Sequence, residues 1–189
     1  MVKSILLVGV GGQGTILASK LLTTGLMEAG YDVKMSEIHG MSQRGGSVSS
    51  QVRYGDKVQS PVIELAGADI LVSFEKMEAI RWFKYLKAGG SVIVNDFEIN
   101  SMPILSGKAE YPSGIIEELS SKVKTTVIDA GKYAAQLGNT KVMNVILLGT
   151  IIKSMGLEEI NWDKIIRDNV KPQFVDLNLK AIEVGMSLV

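Results

Sequence analysis

Apolar and polar positions along the chain follow two alternating rhythms. Ser4–Gly9 (SILLVG) is short and almost wholly apolar, the pattern of a strand covered on both faces. In Gln13–Ala29, residues Leu17, Leu21, Leu22, Gly25, Leu26 and Ala29 recur at helical spacing on one face. Gly30 supplies the stop. Asp32–Glu37 reads as a second strand. Ile38–Gly46 (IHGMSQRGG) follows, nine glycine-rich residues with no room for a crossover helix. Ser47–Tyr54 then alternates strictly. Val48, Ser50, Val52 and Tyr54 share one side, and Ser47, Ser49, Gln51 and Arg53 the other. A period of two with one polar side predicts a half-exposed strand. A parallel partner would need a crossover of about a dozen residues or more. The strand is therefore expected to be antiparallel, with a turn at Gly55-Asp56.

Regular α/β order resumes beyond it. Asp69–Phe74 is a predicted strand, Lys76–Leu86 a helix and Ser91–Asn95 a strand. Asp96–Pro112 is irregular, with a short strand expected at Lys108–Tyr111. Ser113 is the candidate N-cap of a helix to Ser121, with Glu117 near the capping-box position. Lys124–Asp129 is a strand. Val142–Met155 is a helix apolar almost all round, which calls for burial on several sides. Trp162–Val170 and Phe174–Gly185 close the chain as helices separated by Pro172. The expected fold class is α/β: a Rossmann-like open sheet, mostly parallel, with an antiparallel strand after the second loop and C-terminal helices. One domain is expected over residues 1–189, its helical part starting near residue 140.

Composition narrows the chemistry. The 189 residues carry 20 basic and 20 acidic side chains, so the basic excess of a general nucleic-acid binder is absent. The longest apolar run, Val145–Ile152, is far short of the roughly 20 residues of a membrane helix. The N-terminal MVKSILLVGVGGQG breaks at glycines and reads as a first strand rather than a signal peptide, so a cytoplasmic location is expected. There is no cysteine. Iron–sulfur clusters, cysteine-ligated zinc and a thiol nucleophile are thereby excluded from this chain. His39 is the single histidine, so no multi-histidine metal site forms within it, and no nucleophile–base pair stands out. Redox centres, if used, must sit on a cofactor or a partner.

Two glycine loops are the candidate site. Gly9, Gly11 and Gly14 fit G-x-G-x-x-G between a strand and a helix, with Gly12 and Gln13 inside the motif. Such a loop turns tightly, and the helix start offers N–H groups and a positive dipole end to an anion. The other use of Gly11 and Gly14 is close strand–helix packing. Against a dinucleotide, the second strand leads into a nine-residue loop instead of a helix, and Glu37 only approximates the expected acidic position. In the second loop, His39, Gln43 and Arg44 stand beside Gly45, Gly46 and Ser47. Arg44 can fork onto a phosphate or carboxylate, and the glycines permit a backbone nest. Both loops are expected to leave the carboxyl ends of adjacent strands, where ligands bind open α/β sheets. The plainer alternative is a surface loop, with His39 bonding its neighbours. Glu75 and Glu78 are expected in a first helical turn, Glu78 pairing with Arg81. Asp96 and Asp129 suit turn and cap duty, Asn144 needs a buried partner, and Trp82 and Phe83 should point to different sides.

The residues also carry a resemblance. GVGGQGT, EIHGMSQRGGSVSSQVR, SFEKMEAIR and the later MNVILLGT resemble the gamma subunit, or gamma domain, of 2-oxoacid:ferredoxin oxidoreductases. The form of the second loop is most similar to the beta subunit of the indolepyruvate branch. The resemblance implies oxidative decarboxylation of a 2-oxoacid, for that branch an aryl pyruvate. Thiamine diphosphate, magnesium and 4Fe-4S clusters would sit on a larger partner subunit, with coenzyme A as co-substrate and ferredoxin reached through that partner. No G-D-G…N pattern for the metal of thiamine diphosphate is present here. The implied role is site-completing. Arg44 would be the main anion contact, and Gly11, Gly12 and Gln13 would provide donors. Three alternatives stand beside it: a gamma subunit for pyruvate or 2-oxoglutarate, an autonomous NAD(P) enzyme, and a pure assembly module.

Overall fold

The computed structural model describes residues 1–39 and 45–189, with His39 described by its backbone. Six strands form one sheet: β1 (Lys3–Val10), β2 (Asp32–His39), β3 (Ser47–Gly55), β4 (Ala68–Ser73), β5 (Leu86–Asn95) and β6 (Lys124–Ile128). Their order is β2-β3-β1-β4-β5-β6. β3 runs antiparallel to both β1 and β2. The β1–β4, β4–β5 and β5–β6 pairs are parallel. Ile38 and His39, expected in the loop, extend β2, and the seven residues left before β3 are too few for a crossover, so the chain returns antiparallel and the sheet is mixed.

The helices are α1 (Thr15–Glu28), α2 (Lys76–Trp82), α3 (Met102–Leu105), α4 (Ile115–Lys122), α5 (Ala130–Gln136), α6 (Met143–Met155), α7 (Trp162–Asn169) and α8 (Val175–Ser187). Alternation along the strands sorts them into two layers. Ile5, Leu7, Val52, Ile70, Val72 and Ile93 face α1 and the C-terminal helices. Leu6, Val8, Leu71, Val92 and Val94 face α2 and α4. In α6 every residue from Asn144 to Ile152 is buried, as an all-round apolar helix requires.

Several expectations need correction. The polar side of β3 is not wet: Ser49 and Gln51 are buried. The segment between β3 and β4 lies over it. Gln51 Oε1 accepts from the Ile63 N–H at 2.6 Å, and Arg53 donates to the Val62 carbonyl at 2.9 Å. The polar side chains serve a loop backbone where water was expected. Lys108–Tyr111 forms no strand, and α3 precedes it. Tyr111 is instead anchored by its hydroxyl, which donates to Glu75 and accepts from the Met77 N–H. Ser113 does not cap α4. Gly114, at φ 76°, occupies the cap without a side-chain bond, and Glu117 and Glu118 sit in the first turn, where the dipole favours acid. The helix from Lys76 stops at Trp82, and a 3-10 turn at Phe83–Tyr85 leads directly into the longer strand β5. The helix α5 was not anticipated. It is short and starts on Asp129, whose side chain caps it by accepting from the Lys132 N–H at 2.9 Å.

Candidate functional site

The carboxyl ends of β1 and β4 face the same way as the hairpin joining β2 to β3. β1 pairs with β3 up to Val10↔Ser47. That register sets the root of the second loop against the first. The Gly11 N–H donates to the Gly46 carbonyl at 2.9 Å, and the Gly45 N–H donates back to the Gly11 carbonyl at 3.4 Å. The two loops do not leave adjacent strands, however, because β3 stands between β1 and β2. Their contact comes from the return strand.

Gln13 fixes the first loop. Its Oε1 accepts from the Val10 N–H at 2.8 Å, and its Nε2 donates to the Phe74 carbonyl at 2.8 Å. Phe74 follows β4, so the amide bridges the crevice between β1 and β4. The strand order reverses there, at the place where open α/β sheets usually take a ligand. Gly9 makes room for this fold-back, since a Cβ there would meet Gln13 Oε1 and Phe74 Cβ at 2.9 Å. Gly14, at φ 81°, starts α1 without a side-chain cap. A Cβ on it would lie 2.5 Å from Asn144 Nδ2. Asn144 in fact donates to the Gly14 carbonyl at 3.2 Å. That is the buried partner expected of it, although among the described residues its Oδ1 meets no donor. Gly12 is exposed, and among the described residues a Cβ on it would meet nothing within 4 Å, so the loop opens outward at that point.

The opening of α2 supports the second loop. Glu75 is 1% exposed and caps the helix by accepting from the Glu78 N–H at 3.0 Å. Its other oxygen takes the Tyr111 hydroxyl and the Ile99 N–H. Burial, then the Glu75 carboxylate, pushes the Tyr111 phenol well above its ordinary pKa. Glu78, 3% exposed, accepts from the Ser47 hydroxyl and, at 3.2 Å, from the Trp82 indole N–H. Its second oxygen lies 3.4 Å from Arg81, the expected pair. Trp82 thus turns its indole N–H toward the root of the second loop, and both it and Phe83, half-buried, pack against the core on the α2 side of the sheet. Asp96 pairs with Lys76 at 3.2 Å.

Of the sequence candidates, Gly9, Gly11, Gly12, Gln13, Gly14, Gly45, Gly46 and Ser47 come together at this end. The His39 side chain, Gln43 and Arg44 lie outside the described residues. Glu37 accepts from the Ser19 hydroxyl at 2.8 Å. It stands on β2, two strand spacings from β1, roughly 9–10 Å away. Asn95 was not singled out from the sequence. Fully buried, it donates to the Phe74 carbonyl at 3.1 Å and accepts from the Ala130 N–H at 2.9 Å. Its signal was a polar residue ending the apolar strand SVIVN.

A "Pyruvate ferredoxin/flavodoxin oxidoreductase" family model matches residues 4–188. Indolepyruvate oxidoreductase subunit IorB from Pyrococcus horikoshii is 40% identical, over 97% of this chain and 94% of the relative. 2-oxoglutarate synthase subunit KorC from Methanothermobacter thermautotrophicus is 29% identical, over 99% of this chain and 95% of its own. The keto/oxoacid ferredoxin oxidoreductase gamma subunit from Geobacter sulfurreducens shares the fold, with a TM-score of 0.75 at 23% identity, covering 100% of this chain and 96% of that one. The family-model match, which spans all but the first three residues and the last, places the chain in the pyruvate ferredoxin/flavodoxin oxidoreductase family.

Proposed function

We propose that this chain is the small, non-redox subunit of an indolepyruvate-type 2-oxoacid:ferredoxin oxidoreductase. The observation that carries the reading is the near full-length likeness to an indolepyruvate oxidoreductase subunit, closer than the likeness to a 2-oxoglutarate synthase subunit. The substrates are aryl pyruvates. The products are the corresponding aryl-acetyl-CoA, carbon dioxide and reduced ferredoxin. With no cysteine, the residues present do not fit an iron–sulfur cluster, so electron transfer belongs to a larger partner. Thiamine diphosphate and its magnesium on that partner supply the decarboxylation chemistry. No helix among the described residues is long and apolar enough to cross a membrane. We place the complex in the cytoplasm.

This chain contributes positioned donors. The start of α1, which no side chain caps, offers its N–H groups and positive dipole end beside the exposed Gly12, and the tied Gly45–Gly46 root holds the second loop next to them. Arg44, with His39 and Gln43 beside it in sequence, is the anion contact for coenzyme A or for the thiamine phosphates. The amide of Gln13 is already engaged at both ends, so it serves by shaping the loop. The NAD(P) reading loses support on two counts. Gln13 fills the β1–β4 crevice, and the acidic residue of β2 lies one strand too far away. NADH titration followed by Trp82 and Trp162 fluorescence is expected to give no saturable binding at micromolar levels.

The deciding experiment is affinity purification of the tagged chain from its native cell, with assay on indolepyruvate, phenylpyruvate, pyruvate and 2-oxoglutarate. Recovery of a cysteine-rich subunit and preference for the aryl substrates are expected. A preference for pyruvate or 2-oxoglutarate would overturn the branch. In the same complex, Arg44→Ala should raise the apparent KM for coenzyme A about tenfold, the loss of one charge-assisted contact. Unchanged kinetics would remove Arg44 from the site.

A further inference from the structure

Glu78 is a carboxylate that the site as described does not use for a ligand. It sits on α2, 3% exposed, and its neighbours are the point of interest. One oxygen receives both the Ser47 hydroxyl and the Trp82 indole N–H. The other faces Arg81 at 3.4 Å. A buried carboxylate needs such partners, and among the described residues the one it takes from outside its own helix is the first residue of β3. Ser47 directly follows Gly46, whose carbonyl holds the Gly11 N–H at 2.9 Å. The root of the second loop is therefore pinned twice, to the glycine loop through backbone and to α2 through Glu78.

We infer that Glu78 is a positioning residue. It fixes where the second loop re-enters the sheet, and so sets the distance between Gly11–Gly14 and Gly45–Gly46. The Ser47 hydroxyl is its handle on the loop and is not a ligand donor. The kinetic half of this inference rests on the proposed anion-recognising role of the two loops; the structural half does not. The acceptor geometry is the active principle, since glutamine keeps an oxygen for Ser47 and Trp82 whereas leucine offers none.

The test uses the full chain and the assembled complex. In the full chain, Glu78→Leu and Ser47→Ala are expected to speed amide exchange in the peptides containing Gly11 and Gly45 by roughly tenfold, with α6 and α8 peptides unchanged. Glu78→Gln and Ser47→Thr are expected to restore protection. The double variant Ser47→Ala/Glu78→Leu should be no more exposed than either single one, because both remove the same link. Unchanged exchange at Gly11 and Gly45, or loosening spread equally over the whole chain, overturns the inference. In the complex, Glu78→Leu should raise the same apparent KM that Arg44→Ala raises, with kcat held within about twofold. Local loosening without any kinetic change would uphold the clamp and count against the ligand role of the loops. A KM shift in Arg44→Ala with normal exchange in Glu78→Leu would do the reverse.

Discussion

Gln13 and Asp69 show how single side chains decide the geometry here. Gln13 stands in a glycine-rich motif where a ligand would be sought, yet its amide is bonded at both ends to the chain's own backbone. Gln13→Leu would leave the Val10 N–H without its acceptor and cost about 1–3 kcal/mol, measurable by urea unfolding. An unchanged midpoint would mean the loop is held by other contacts. Asp69 opens the strand next to β1, accepting from the Ser4 N–H at 2.8 Å and from Lys87. Burial opposes its charge, but Lys87, the Ser4 N–H and Lys3 outweigh that, and its carboxyl is held below the ordinary 3.8. A depressed folded pKa gives stability that is present above the unfolded value and is lost as pH falls through the folded one. Asp69→Asn should therefore lower Tm at neutral pH and flatten the acid limb of the Tm profile below about pH 4. Superimposable acid limbs would refute the assignment. The residue-level chemistry was partly legible. Glu78–Arg81 follows from spacing, but Glu78–Ser47 joins residues 31 positions apart and no local pattern announces it.

At the scale of elements, α6 and α8 pack backbone to backbone at two glycines. A Cβ on Gly149 would stand 2.3 Å from the Ile182 carbonyl oxygen, and one on Gly185 would stand 2.0 Å from that of Ile146. Neither obstacle is a flexible side chain. Gly149→Ala or Gly185→Ala forces the helices apart and is expected to cost about 1–3 kcal/mol in denaturant unfolding. The double variant should cost less than the sum, because the first methyl already opens the gap. Equal and additive effects would contradict a shared contact. Elements with a strong period were legible: β1, α1, β4, α6 and the antiparallel sense of β3. Those set by distant partners were not. The wet side assigned to β3 failed because Gln51 and Arg53 bond a loop that follows later in the chain. Ser113 lost the cap to Gly114, whose positive φ lets the chain enter α4.

At the scale of the whole molecule, a short loop has a large effect. Seven residues where an α/β fold usually places a helix send β3 back between β1 and β2. The hairpin was readable from its length, but its destination was not, since strand order depends on which edges find each other. Two glycine loops expected to leave adjacent strands are instead laced together through that returning strand. The described candidates of the two loops lie together, but the strand that joins them was not legible.

One carbonyl binds this end of the protein into a unit. The oxygen of Phe74 holds the amides of Gln13 and Asn95 at once, and Asn95 in turn grips the first N–H of α5. The tips of three strands and the start of a helix therefore share one knot. A push on the first glycine turn would therefore be passed to residue 130 as well, so on the proposed assembly a subunit docking there would meet a braced edge.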